Sequence, residues 1–489
     1  MAPSSRAPLL LALLAAAGCS RRPEGPNILL ITLDTTRRDH LGFYGYDRPT
    51  SPNLDRLAAE SVVYTNAYAT SSWTMPTHAS MFTGKFPSAH GANYDPEGPL
   101  HLDAAIGGPF GHYRARPIAE NETTLAMLLT EHGYATGGVA GGPWMKKVFR
   151  LDKGFEFYDD ENVTELNGRP AEDVTRVAID FVDRHADAPF FLFLNYYDPH
   201  SPWADEAARR PYHDVAPVIP PGLDPSQLTN AQSATLLYDS EIRYMDEHIG
   251  RLLDHLRTTG QYENTWIFVL ADHGELIDDP VLGEPGLWGH TNSLTQAEIH
   301  IPFLVKEPGA RPGTADGFVQ QVDILPTIVA RLGLTLPPNV QGVPLGRSGG
   351  HPIVAELDKL PMMDREGGPK ARDWRHQGDW RVLVEGANKF GWSSNGTNFL
   401  VDLAQDPLEH VNRIEDDRAL AAELDRRLAT YLANLPKPGA LGEVKPVDEE
   451  TLRAIKGLGY GAEGEKPPGA SEAGAPASGN PDESAAPKR

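Results

Sequence analysis

The chain has 489 residues, 40% hydrophobic and 23% charged, with a formal net charge of −23 at pH 7. That length is enough for one large buried core and a smaller satellite domain. The acidic balance excludes a general nucleic-acid binder, because a phosphate backbone requires a basic surface.

The first element is a targeting segment. Met1–Arg6 is basic, Ala7 to Ala17 is apolar, and Ala16-Ala17-Gly18-Cys19 follows. The apolar run is far shorter than the roughly 20 residues that span a bilayer. The pattern resembles a bacterial lipoprotein signal over residues 1–18, with Cys19 as the residue to be acylated; an ordinary cleaved signal peptide is the alternative. A protein so anchored is expected in the bacterial cell envelope, facing the periplasm or the cell surface. Cys19 is the only cysteine, so the mature body has no disulfide, no thiolate metal site and no cysteine-derived formylglycine.

Asn27–Leu33 is a continuous apolar run ending at Asp34, as a buried parallel strand reads. Val62–Ala67 reads as a second strand, and Thr74 follows it. Pro76 suits the first turn of a helix. Thr123–His132 reads as helix and Tyr134–Val139 as strand. Phe190–Leu194 is a strong strand signal running into Asn195-Tyr196-Tyr197-Asp198-Pro199-His200. Tyr238, Ile242, Met245, Ile249, Leu252 and Leu256 recur at helical spacing. Trp266–Leu270 is a strand ending in Asp272-His273, and Ile301–Val305 another ending in Lys306. Gln320–Leu332 fits a helix.

Strands alternating with helices predict an α/β fold with a largely parallel central sheet flanked by helices. In such sheets ligands gather beyond the carboxyl ends of the strands. Asp34, His200, Asp272-His273 and Lys306 all follow strands and are therefore expected to converge. Short strands at 380–385, 389–392 and 399–403, with a helix near 419–432, predict a small C-terminal antiparallel-sheet α+β subdomain. The organisation is then 26–350 catalytic, 351–460 C-terminal subdomain and 461–489 a disordered tail rich in Pro, Gly, Ala, Ser and Glu.

The stretch Thr74-Met75-Pro76-Thr77-His78, followed by Thr83-Gly84-Lys85, Pro87 and His90-Gly91, resembles the nucleophile signature of the sulfatase family within the alkaline phosphatase superfamily. That signature reads Cys/Ser-x-Pro-Ser-Arg and then Thr-Gly-Arg. Further pieces occur in the family's order: Asn27–Asp34, Asp198-Pro199-His200, Asp272-His273-Gly274-Glu275, Val322-Asp323-Ile324-Leu325-Pro326 and Asp402 to Pro407. The resemblance implies a metal-dependent hydrolase of sulfate or phosphate esters with the alkaline phosphatase-like fold. It implies Asp34, Asp272 and His273 as ligands of one divalent metal ion and Thr74 as the nucleophile. It also implies His200 and His290 as groups that contact the ester or protonate the leaving group. His78, Lys85 and Lys306 are the candidate substrate-binding residues.

Three departures from the family pattern matter. Thr74 stands where sulfatases carry the Cys or Ser that is oxidised to formylglycine, so no formylglycine is expected. Thr35 replaces a second Asp after Asp34, which removes one negative ligand. The two remaining carboxylates and an imidazole favour zinc or manganese over the calcium usual in sulfatases. Lys146 or Lys147 is the substitute for an anion-binding Lys-His pair that this chain lacks. The expected substrate is a sulfated or phosphorylated small molecule, glycan or lipid, with no nucleic acid and with membrane contact only through the lipid anchor. Two alternatives stay open at this point: a phosphotransferase acting on envelope glycan or lipid, and an inactive glycan-binding pseudoenzyme.

Overall fold

β1 (Asn27–Leu33) is buried at every position, and its alternate residues enter two different cores. Ile28 and Leu30 pack on one face with Phe82, Leu125 and Ile324. Leu29, Ile31 and Leu33 pack on the other with Leu54, Val174, Ile242 and Ile249. A two-residue strand period with both faces covered by helices produces this division. The structure is a computed structural model describing residues 25–101, 114–163, 168–201, 228–291, 293–346, 351–358 and 378–457. The signal segment 1–18, Cys19 and the tail 461–489 lie outside the described residues.

The first part of the chain carries α1 (Pro52–Ala58), β2 (Val62–Tyr68), α2 (Thr74–Thr83), α3 (Pro87–His90), β3 (Asn93–Tyr94), β4 (Leu100–His101) and β5 (Arg114–Arg116). Next come α4 (Leu125–Glu131), β6 (Ala135–Val139), β7 (Phe157–Asp159), α5 (Ala171–Arg184), β8 (Phe190–Tyr196), α6 (Asn230–Thr258) and β9 (Thr265–Ala271). A hairpin of β10 (Leu276–Val281) and β11 (Glu284–Gly289) precedes α7 (Gln296–Ile299), β12 (His300–Ile301), β13 (Phe303–Lys306), β14 (Gly313–Gln320) and α8 (Ile324–Arg331). The C-terminal part holds β15 (Ile353–Leu357), β16 (Trp380–Glu385), β17 (Asn388–Ser393), β18 (Phe399–Asp402), α9 (Arg418–Ala433) and α10 (Glu449–Gly457).

The main sheet has nine strands in the order β12-β2-β13-β9-β1-β8-β6-β7, with β14 paired to β2. β9, β1, β8, β6 and β7 run parallel. β13 is antiparallel to both β9 and β2. The carboxyl ends of β1, β8 and β9 therefore open on one edge. β15 to β18 form a separate antiparallel sheet. One face of it is covered by Ala421, Leu424 and Leu428 of α9; the other contributes Ile353, Val382 and Val401 to the large core. The fold is thus the expected α/β sandwich with a small antiparallel C-terminal sheet.

Several elements differ from the sequence reading. Residues 320–332 do not form one helix: β14 ends at Gln320, a single 3-10 turn covers Gln321–Asp323, and α8 starts at Ile324. The Asp323 carboxylate accepts from the Gln320 N–H at 2.9 Å and fixes that break. β14 (GTADGFVQ) has glycines and little apolar alternation, so its pairing with β2 left no signature. The α5 helix and the β10–β11 hairpin have no counterpart in the sequence reading.

Asp239, Glu241 and Asp246 of α6 are buried. Asp246 accepts from the backbone N–H of Asn53 and Leu54 and from the Asn53 side chain, at 2.7 to 3.1 Å. It thus caps α1 from a different helix. Asp246→Ala is expected to leave these donors unmet and to cost about 2–3 kcal/mol, read as a lower urea midpoint with unchanged metal content.

Candidate active site

The parallel register of β1 and β9 pairs Leu33 with Ala271, so the next residues, Asp34 and Asp272, emerge side by side. Both are fully buried. Asp34 Oδ2 accepts from the Asn195 side-chain amide at 3.2 Å. Asp272 Oδ1 accepts from the backbone N–H of Thr35 and His273, at 3.0 and 2.8 Å. Each carboxylate keeps its other oxygen, Asp34 Oδ1 and Asp272 Oδ2, buried without a hydrogen-bond partner. Burial, and then the charge of Asp272, push the Asp34 carboxyl well above the ordinary carboxylate range. Thr35 takes a left-handed conformation, φ 52°, held by its N–H on Asp272 and by the Tyr238 hydroxyl on its carbonyl at 2.7 Å.

His273 completes the group. Its Nδ1–H donates to the Gly274 carbonyl at 2.9 Å, which leaves Nε2 as the acceptor nitrogen. That nitrogen lies 3.4 Å from Asp272 Oδ2 and 3.3 Å from Thr74 Oγ1. Ligand atoms of Asp34, Asp272 and His273 lie within 4.8 Å of one another. Two adjacent buried carboxylates, each with an unpartnered oxygen, beside an imidazole lone pair are costly without a cation. The donor set fits one divalent ion, with Asp34, Asp272 and His273 as its holders.

Thr74 is the first residue of α2 and is 1% exposed. The loop after β2 brings it over the carboxyl ends of β1 and β9. The α2 N-terminus adds the positive end of a helix dipole at the same point.

His290 and His200 continue the cluster. The His273 and His290 ring centroids are 4.7 Å apart, and those of His290 and His200 are 4.9 Å apart. His200 stacks on Tyr197 at 4.4 Å and bonds the Ser201 carbonyl through Nδ1 at 2.6 Å. The hairpin sets His290: β10 pairs Leu276 with Gly289, which puts Glu275 opposite His290. The Glu275 carboxylate meets His290 Nδ1 at 3.1 Å. Burial pushes Glu275 up to about 8 and His290 well below its ordinary value.

The remaining candidates lie elsewhere or do other work. His78 is a fully buried residue of α2, with Nδ1 donating to the Thr74 carbonyl at 2.7 Å and Nε2 paired with Thr32 Oγ1 at 3.0 Å. Both ring nitrogens are committed to the scaffold, so it props the Thr74 turn instead of facing an ester. Lys85 lies beyond the far end of α2 and pairs with Glu122 at 2.5 Å. Lys306 is at the wrong end of the sheet. Its strand is antiparallel to β9, with Lys306 opposite Ile267, and its ammonium binds the Tyr262 carbonyl at 2.5 Å. Lys146 and Lys147 pair with Glu450 and Asp160.

Two supporting residues were missed. Asn195 lies near the end of β8; its side-chain carbonyl oxygen accepts from the Gly141 and Gly142 N–H groups while its amide orients Asp34. Gln321 donates to the Asp272 carbonyl at 2.6 Å and accepts from the Thr70 N–H. Neither has a sequence signal beyond being polar beside a buried strand or helix start.

The sulfatase family profile matches residues 26–334. The chain belongs to the sulfatase family. It is a hydrolase acting on ester bonds. It is 24% identical over 455 residues to the ulvan-active sulfatase of Formosa agariphila, covering 84% of this chain and 82% of that one. It is 27% identical over 431 residues to human N-acetylgalactosamine-6-sulfatase, covering 76% and 75%. Among solved structures it resembles the phosphonate monoester hydrolase of Agrobacterium radiobacter, with a TM-score of 0.60 and 19% identity over 83% of this chain and 95% of that one. It also resembles a protein solved with its substrate D-glucosamine-2-N,6-O-disulfate, with a TM-score of 0.63 and 17% identity over 84% and 97%. Sulfatase-family proteins use a divalent metal, and Asp34, Asp272 and His273 are this chain's candidate triad for it.

Proposed function

We propose that this sulfatase-family hydrolase uses unmodified Thr74 as its nucleophile and cleaves phosphate esters in preference to sulfate esters. The observation that carries this reading is Thr74 Oγ1 at 3.3 Å from His273 Nε2, beside two buried carboxylates. A threonine hydroxyl is a poor nucleophile at neutral pH. A divalent ion held by Asp34, Asp272 and His273 would supply Lewis-acid activation and neutralise charge on the ester oxygens. Zinc or manganese suits the mixed oxygen and nitrogen set better than calcium.

In the reaction Thr74 Oγ1 bonds to phosphorus as the ester's P–O bond breaks, and the threonine proton passes through the neutral His290–His200 pair to the departing alkoxide. Water then attacks phosphorus, returning the threonine hydroxyl and releasing phosphate. A formylglycine hydrate has a second hydroxyl through which sulfate is expelled by elimination; a threonine ester lacks that exit and must be cleared by water. Phosphoryl groups suit this second displacement better than sulfuryl groups.

The substrate class is a phosphorylated or sulfated small molecule, glycan or lipid. Assaying purified protein on matched aryl sulfate, phosphomonoester and phosphodiester substrates, with metal content measured, tests the reading. Faster phosphoester turnover with a bound transition metal is expected; faster multiple turnover of the sulfate ester overturns it.

The proposed place of action is the cell envelope, through acylated Cys19. Among the described residues no helix is long and apolar enough to cross a membrane. Several acyl chains give stable anchoring where one gives marginal binding. Cys19→Ala should therefore move the protein to the soluble fraction; membrane association that survives the substitution rules the anchor out.

A further inference from the structure

A cavity of about 610 Å³ opens beside the β10–β11 hairpin, and none of Asp34, Thr74, His200, Asp272, His273 or His290 lines it. That volume lies in the range of small-molecule sites, roughly 300–1,000 Å³. Its lining includes a row of rings across three neighbouring strands: His300 of β12, Tyr68 of β2 and Phe318 of β14. His300 and Tyr68 stack at 4.9 Å with an interplanar angle of 4°, and Tyr68 and Phe318 at 6.0 Å and 21°. Phe318 remains 40% exposed and Leu408, also in the lining, 61%. Large apolar side chains gathered in one concavity mark a binding surface more often than isolated exposed ones do.

The polar lining narrows the ligand. Arg38, Asp39, Asn66, Gln296 and His410 border the cavity. Its two arginines, Arg37 and Arg38, are outnumbered by the carboxylates Asp39, Asp279 and Glu409, and Arg37 is paired with both Asp39 and Asp279. Burial and the neighbouring Arg38 hold His300 down at about 3, so it is neutral. No surplus of positive charge awaits a sulfate or phosphate group. A purely apolar ligand would strip water from the polar border with no return. A ring with an apolar CH face and hydroxyls at its edge meets both halves of the lining.

We propose that this cavity is a saccharide subsite, in which Phe318 carries the apolar face of a neutral sugar ring and Arg38, Asn66 and Gln296 meet its hydroxyls. Arg37 joins the subsite to the catalytic group, lining the cavity while its Nη1 donates to the Glu275 carbonyl at 3.2 Å. A glycan bound here would be tethered beside the hairpin that carries Glu275 and His290 at its base.

The test is binding, which needs no turnover and so does not depend on which ester the enzyme cleaves. Full-length protein carrying Thr74→Ala is titrated with cellohexaose, laminarihexaose, mannohexaose and xylohexaose, and with a chondroitin sulfate hexasaccharide as the charged comparison. Saturation-transfer NMR and calorimetry read the complex. Saturable binding of at least one neutral hexasaccharide is expected, weakened about tenfold or more by Phe318→Ala and retained by Phe318→Trp, since the ring face supplies the contact. Phe318 is on an edge strand and partly exposed, so circular dichroism should confirm that both variants fold. No saturable binding of any neutral oligosaccharide, binding of the charged one alone, or binding indifferent to Phe318→Ala overturns the proposal.

Discussion

Thr74→Ala should reduce phosphoester turnover by about a thousandfold or more while leaving the fold and the bound metal intact. Removing a nucleophile eliminates the covalent route and leaves only the residual catalysis that positioning and electrostatics provide. The structural cost is small because the bonds that organise this turn use the Thr74 backbone. The Thr77 hydroxyl and His78 Nδ1 both donate to the Thr74 carbonyl, at 2.8 and 2.7 Å, and survive the substitution. Only the hydroxyl contact to His273 Nε2 is lost, about 1 kcal/mol. Thr74→Ser keeps the hydroxyl and should keep most of the rate. Intact-mass measurement of the wild type should show ordinary threonine at position 74. Turnover that survives Thr74→Ala undiminished would assign the attack to water or another residue.

Asp272→Asn should abolish stoichiometric metal binding and activity, yet make the metal-free protein more stable at neutral pH. Asparagine keeps an acceptor for the Thr35 and His273 N–H groups, so the turn remains supported. What disappears is the charge beside Asp34, whose carboxyl is pushed upward by burial first and by Asp272 second. A raised folded-state value contributes stability at pH below the unfolded carboxylate value of about 4 and loses it as pH rises through the folded value. At pH 7 the metal-free wild type therefore carries the strain of the pair, and relieving it should gain about 1–3 kcal/mol. With divalent metal the order reverses, because only the wild type gains the binding free energy. Thermal melts of both proteins, with chelator and with zinc or manganese across pH, check this crossing. Parallel melting under all conditions would mean that the ion is held elsewhere.

The sequence determined the parts of the fold that rest on local pattern. Apolar runs at Asn27–Leu33, Phe190–Leu194 and Trp266–Leu270 became β1, β8 and β9, because a strand buried on both faces must be apolar throughout. The spacing from Tyr238 to Leu256 became the core face of α6. Residues directly after parallel strands, Asp34 and Asp272-His273, met as expected, since parallel neighbours end on the same edge. Tertiary pairing decided what a linear pattern does not encode. Strand direction removed Lys306: an apolar run reads the same in a parallel or an antiparallel neighbour, and β13 runs antiparallel, so its end points away from the site. Helix length removed Lys85, because Thr74 opens the ten-residue α2 and Lys85 follows its other end. His78 lies four residues from Thr74, one turn further along α2 and deeper in the core, where burial and two hydrogen bonds consume it. Glu275 met His290 only because a hairpin folded between them, and Asn195 found Asp34 only because β8 lies beside β1. Local periodicity is written in neighbouring residues, whereas strand direction and cross-strand partners are set by which surfaces close together when the whole chain excludes water.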